Sequence, residues 1–464
     1  MRFVAALFSW PVGSAPFLTL AIAFTAAVAA AAPEKAPLVA IESVTLANGL
    51  KVVVSRDPSS PVAAVAMGFR AGSRAEPRGR AGYAHLFEKL MFEGSKHVRK
   101  GEFDRILESY GGDNNASSHE DFILFHEVLP ARALAVALWL DADRVADLDL
   151  TKDSLRGQVE VAKEERRMRV DNEPYGRLLN VEIASHTFSN WQNSHPVMGS
   201  PGDYDAATLK DAEDYFASSF SPANGVLAIV GDVEPAEALA KAREYFEWIP
   251  NRGTPPQTDF SELAPGPSTW VALSDPHARL PAFAVAWKGM PERGTRDAAA
   301  LALVGQALFK GKSSRLYQEL VKVSQVGVSV DGGLGFPLVE DPMEFKAPGS
   351  FGGWTVHKPG FTPNQVRVLV LKQVARIASH GLDPAELGRL KTSLRSEWIR
   401  SRETCLGRAK SLVAATLLDN DPAADNAGLE RFMAVTPQDT AAAVARYLKP
   451  ENALFFGVAP GGAP

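Results

Sequence analysis

The chain has 464 residues, of which 46% are hydrophobic and 22% charged, a globular composition long enough for two or more domains. Its net charge of −5 argues against a nucleic-acid binder and gives no attraction to anionic lipid. Cys405 is the one cysteine. No intrachain disulfide can form, and the plainest reading of that thiol is a small buried residue on a helix.

In chain order, the first unusual stretch is residues 1–32. Arg2 is followed by a charge-free apolar run that ends in Ala29, Ala30, Ala31 and Ala32 before Pro33. A basic start, an apolar middle and a small-residue exit are the parts of a secretory signal. The length of the run leaves an uncleaved membrane anchor open as the alternative. The periplasm, or export more generally, is the expected address.

Residues 61–69 read as an apolar strand, followed by a polar turn and a helix that includes residues 84–92. Gly111 and Gly112 make a turn into a polar strand through Asn114, Asn115, Ala116 and Ser117, and residues 122–128 form its apolar neighbour. A highly charged helix covers residues 158–167, and residues 221–231 are a turn leading into an apolar strand. Residues 251–268, rich in Pro, Gly, Ser and Thr, read as a linker. Beyond it the plan repeats. Residues 281–289 open like 61–69, a helix follows over 296–309, and 449–458 closes like 221–231. Strands mixed with helices of 12 to 20 residues predict an α+β fold of two similar sheet-plus-helix halves, 40–250 and 269–460.

The most informative residues are His85, Glu88 and Lys89. Positions i, i+3 and i+4 of a helix share one face. The stretch is one residue short of the inverted zinc-protease motif H-x-x-E-H, in which two imidazoles hold the metal and the glutamate activates its water. The second imidazole is a lysine here.

Four further stretches give the motif its context. Upstream is Gly68-Phe69-Arg70-Ala71-Gly72-Ser73-Arg74-Ala75-Glu76. Gly111 to Ser117 follows the motif. Downstream are Val161-Ala162-Lys163-Glu164-Glu165-Arg166-Arg167 and Asp171-Asn172-Glu173-Pro174-Tyr175-Gly176-Arg177. Together these resemble the insulinase/pitrilysin family of inverted-motif zinc metallopeptidases, in its mitochondrial-processing-peptidase-like bacterial branch. The resemblance runs from about Val44 to the C-terminus. It implies two halves facing across a central cavity, an extended peptide as substrate and zinc as cofactor.

By that resemblance His85 is a metal ligand, Glu88 the general base and Glu165 the third protein ligand, with a one-residue slip to Glu164 left open. Lys89 occupies the missing ligand position. A free lysine titrates near about 10.4, so neutralising one at pH 7 costs roughly 4.6 kcal/mol, and an ammonium has no lone pair to offer a metal. The economical expectation is that Lys89 replaces the metal's charge between Glu88 and Glu165. His97, His119 and His126 have no spacing that makes them substitutes. The resemblance also makes the strand through Asn115 and Ala116 the edge that accepts the peptide.

In the second half, many one-chain members carry an arginine and a tyrosine seven residues apart. Val321 and Val328 stand at those positions. Two-chain members take that pair from a related partner subunit. Two functions follow: a non-hydrolytic, peptide-binding subunit, or an active zinc endopeptidase with a divergent metal site working with a partner.

Overall fold

In the computed structural model, residues 39–461 are described apart from 254, 256, 339–343 and 348. The expected leader, residues 1–32, lies outside the described residues. No helix among those described is long and apolar enough to cross a membrane.

Among the described residues, eleven strands form two sheets. The first contains β1 (Glu42–Thr45), β2 (Lys51–Arg56), β3 (Val62–Phe69), β4 (Asp113–Ser118), β5 (Ile123–Pro130) and β6 (Gly225–Gly231), in the order β1-β2-β6-β3-β5-β4. The second contains β7 (Thr269–Asp275), β8 (Ala282–Lys288), β9 (Asp331–Leu334), β10 (Ser350–Val356) and β11 (Leu454–Pro460), in the order β7-β11-β8-β10-β9. Strand for strand, β7 to β11 repeat β2 to β6. The β2–β6 and β7–β11 pairs are parallel and the others antiparallel in both sheets. β1 is an addition with no counterpart among the described residues.

Strand pleating sends alternate side chains to opposite faces. On β3, Val65, Met67 and Phe69 enter the main core of the first half beneath its helices, while Ala64 and Ala66 face the other way. That other face is covered by a helix from far along the chain, Cys405–Asp419. Its approach needs small residues on β3. A Cβ on Gly68 would lie 2.4 Å from Val413 Cγ1 and 2.9 Å from Leu417 Cδ1. The exchange is mutual. Leu178 and Ile183, which belong by sequence to the first half, pack against Ala282, Ala284, Ala286 and Phe456 of the second sheet. Tyr175 reinforces this crossing, donating its hydroxyl to Leu280 O at 2.7 Å.

The crossing was not foreseen from sequence, because an apolar helix does not announce which sheet it will cover. Part of the linker is also tied down. Glu262 accepts hydrogen bonds from the Ser189 hydroxyl at 2.7 Å and from Asn193 Nδ2 at 2.9 Å.

Candidate functional site

The motif residues ride on a two-turn helix, Tyr83–Leu90. Its N-cap, Gly82, has φ 96° and offers no side chain to its first amides. A carboxylate six residues upstream does so instead. Glu76 accepts from the backbone N–H of Gly82 at 2.8 Å and of Ala84 at 2.6 Å. His195 Nε2 lies 3.0 Å from the same carboxylate, and its ring stacks on Trp191 at 3.9 Å. Burial pushes Glu76 above the usual carboxylate range. Burial works against a charged His195, but the hydrogen bond to Glu76 outweighs it and raises the imidazole. Gly82 is required for a steric reason as well, since a Cβ there would meet Tyr204 Oη at 2.4 Å.

Three elements converge at the end of this helix. The helix Lys152–Arg166 brings Glu165 in its last turn, and β4 ends beside it. His85 is buried, with Nδ1 3.7 Å from Glu88 Oε2 and Nε2 3.2 Å from Glu165 Oε2. Lys89 Nζ lies 3.0 Å from Glu165 Oε2 and 3.8 Å from Glu88 Oε1. Ser118 holds Glu88 from the strand, donating its backbone N–H at 2.9 Å and its hydroxyl at 2.7 Å. Arg169 approaches the far oxygen of Glu165 at 3.2 Å. For Glu88, burial favours the neutral acid. The approach of His85, the hydrogen bonds from Ser118 and the nearby charges overcome it and hold the carboxyl below its ordinary value. Glu165 is held low in the same way by Lys89, His85 and Arg169 against its partial burial.

The two neighbouring glutamates point in different directions. Glu164 is exposed and paired with Arg167 at 2.6 Å, so Glu165 is the one that faces the motif helix. His97, His119 and His126 make their contacts elsewhere, although His119 feels the Glu88 carboxylate. His97 pairs with Asp143 at 2.6 Å. His119 stacks on Phe122 and bonds to the Ser117 hydroxyl. His126 is buried on β5. Burial drives both His119 and His126 down to about 4.

Among the described residues, β4 is an edge strand paired only with β5. The amides of Ala116 and Ser118 are directed away from β5: Ala116 N–H donates to Asn115 Oδ1 at 2.8 Å and Ser118 N–H to Glu88. Such alternation leaves every second N–H available for an added strand. Sequence reading missed what lies at the next turn. A second-half segment, residues 344–347, is seated on it: Lys346 N–H donates to Asp121 at 2.9 Å, and Arg74 donates to Ala347 O at 2.7 Å. The Arg74 guanidinium also stacks between Phe260 and Phe345. Beside it, burial lifts Glu120 up to about 8. The one signal for Arg74 was its place in the upstream stretch before Glu76. In the second half, Val321 is half-buried and Val328 exposed.

Known proteins resemble this chain in sequence and fold. Residues 51–200 match the family described as insulinase (peptidase family M16), and residues 206–394 match the peptidase M16 inactive domain. The chain belongs to the M16 (insulinase) peptidase family. The zinc protease PqqE of Helicobacter pylori is 29% identical over 388 residues, 82% of this chain and 84% of that protein. A probable mitochondrial-processing peptidase subunit beta of Schizosaccharomyces pombe is 26% identical over 211 residues, 44% of each. Among solved structures, a protease from Helicobacter pylori matches with a TM-score of 0.84 at 25% identity, over 91% of this chain and 100% of that one. The periplasmic protease PqqL from Escherichia coli matches in fold, with a TM-score of 0.73 at 16% identity, over 92% of this chain and 48% of that one.

Relatives named as zinc proteases make zinc the metal to test against this M16 chain. A working centre takes three protein ligands and keeps a position open for water. His85 Nε2 and Glu165 Oε2, 3.2 Å apart, are donors of the right kind. His85 Nε2 is also buried without an aligned hydrogen-bond partner, since its approach to Glu165 is close but poorly directed. The third place is held by the Lys89 ammonium. Among the described residues no group of three His, Cys, Asp or Glu is arranged to hold a metal. The donor set does not fit a three-ligand zinc site.

Proposed function

We propose that this chain is a peptide-binding member of the M16 family that does not itself carry out zinc hydrolysis. One observation carries the reading: Lys89 Nζ stands 3.0 Å from Glu165 Oε2, where a cation replaces the charge a metal would bring. The ammonium pairs with Glu165 and lies near Glu88, while lacking the empty orbitals that polarise a carbonyl. The peptide would add as a strand to β4, taking the amide of Ala116 from the Asn115 side chain. Glu88, already committed to Ser118, would bound that strand rather than serve as a base.

A related second chain is part of the proposal. Val321 and Val328 offer no polar group to a substrate carbonyl, and a relative is named as one subunit of a processing peptidase. Export to the periplasm is proposed from the first 32 residues, with the fold shared by a periplasmic protease as support. A second reading, an active zinc endopeptidase completed by an outside ligand, is favoured by the orphaned His85 Nε2.

Metal analysis of the purified chain separates the two. The first reading expects no stoichiometric zinc, no hydrolysis, and retained binding of an unstructured peptide by fluorescence anisotropy. One zinc per chain with peptide cleavage would overturn it.

A further inference from the structure

The second half contains two adjoining recesses, of about 340 and 330 Å³ including space open to solvent. They share Arg293, Ala298 and Leu334. No carboxylate is among the described residues that line either one. Arg293 is locked in place: its Nε and Nη2 grip Asp419 at 3.0 and 2.9 Å. The side chain is only 7% exposed, and its Nη1 is buried with no hydrogen-bond partner. Arg431 lines the first recess and has no carboxylate partner among the described residues. Its guanidinium lies over Gly294, where a Cβ would come within 2.9 Å of Nη1. Thr295 lines it too, its hydroxyl engaged with Glu292 O and Ala298 N–H, and Ala298, Ala302, Leu334 and Phe432 form its apolar side.

Two guanidiniums with spare donors beside an apolar wall call for an anion with an apolar body. A guanidinium matches a carboxylate in plane and spacing. A buried N–H without a partner costs free energy until an acceptor arrives. The neighbouring recess is closed by Phe345 and Lys346, members of the same segment that sits on Asp121 beside β4. From these observations we infer that the paired recess binds the C-terminal carboxylate of a peptide whose last residue is apolar. The carboxylate takes Arg431, with the fixed charge of Arg293 beside it, and the last side chain lies against Ala298, Ala302, Leu334 and Phe432. The inference rests on the peptide-binding reading and adds to it a preference for a free C-terminus.

The test uses the full chain and a labelled ten-residue unstructured peptide ending in leucine, as the free acid and as the C-terminal amide. The free acid is expected to bind about tenfold tighter. Arg431→Met should erase that advantage and leave the amide's affinity unchanged. Ala298→Leu, which fills the recess and keeps both charges, should do the same. Thermal melts of both variants show that the fold is kept. Equal binding of acid and amide, or an advantage that survives both variants, overturns the inference. So does inorganic phosphate competing as well as N-acetylleucine, because the apolar wall would then count for nothing. Failure of the β4 reading gives a different result, loss of amide binding with the acid still bound. Binding of neither peptide overturns both.

Discussion

The two halves share a strand order and differ in what they attach to it. In both, a helix follows the second strand of the repeat, Tyr83–Leu90 in one and Arg296–Phe309 in the other. The first carries His85, Glu88 and Lys89 and is capped by Glu76, a buried residue outside the helix paired with His195. The second is almost wholly buried Ala, Leu and Val, and is capped by its own Thr295, whose hydroxyl accepts from Ala298 N–H at 3.2 Å. A helix built for packing can be capped locally. One whose polar face must stand at a fixed place beside β4 is tied by a buried carboxylate outside the helix. The comparison teaches that the chemistry of the first half depends on residues well outside the motif.

The largest expected effect comes from restoring what the motif lacks. Lys89→His should raise zinc affinity by several orders of magnitude, because a neutral imidazole needs no costly deprotonation. Competition against a chromogenic chelator measures this. Peptide cleavage should appear with it, and a further Glu88→Gln should abolish cleavage while zinc stays bound. If Lys89→His binds no more zinc than the wild type, the first half has lost more than one ligand.

Capping gives the next contrast. Glu76→Ala breaks a fully buried pair and should cost about 3–5 kcal/mol, read from denaturant midpoints. Thr295→Ala removes only a local cap and should cost about 1 kcal/mol. Equal costs would erase the distinction between the two helices.

Crossing of the halves can be broken at Gly68. Gly68→Val must push against Val413 and Leu417, and overpacking of this kind costs about 1–3 kcal/mol. A calorimetric transition that splits in two would show that the helix Cys405–Asp419 couples the halves. A single, lowered transition would show that other contacts suffice.

Acid should also stress the first sheet. His119 and His126 are held down at about 4 when folded, against about 6.5 when unfolded. The unfolded chain therefore binds more protons between those values, and stability falls as pH drops through that window. Each histidine contributes a loss of about 2 kcal/mol by pH 5 at most. His126→Gln should flatten the fall in stability between pH 7 and pH 5.

The smallest effect separates the paired glutamates. Glu164→Ala, at an exposed position, should change stability by less than about 0.5 kcal/mol and leave zinc affinity of the Lys89→His variant intact. Glu165→Ala in that background should abolish it.

Much of this was legible in one dimension. Local pattern alone specified the apolar strands 61–69 and 281–289, the repeat of their plan and the shared helical face of His85, Glu88 and Lys89. Strand and helix periods follow from backbone geometry and need no partner. The choice of Glu165 over Glu164 was only leaned towards, because both sit on one charged turn and only packing shows which is aimed inward. Nothing local revealed that Glu76 and His195, 119 residues apart, would meet beneath the motif helix. Nor did it reveal that Arg74 would reach residues 344–347, or that residues 405–419 would cover the opposite sheet. Those contacts join segments whose separate patterns are unremarkable, and close packing of the whole chain selects them. Sequence determined which helix carries the motif and that its second ligand is a lysine. Tertiary structure decided where the ammonium goes, because only the folded chain brings the last turn of Lys152–Arg166 to within 3.0 Å of it.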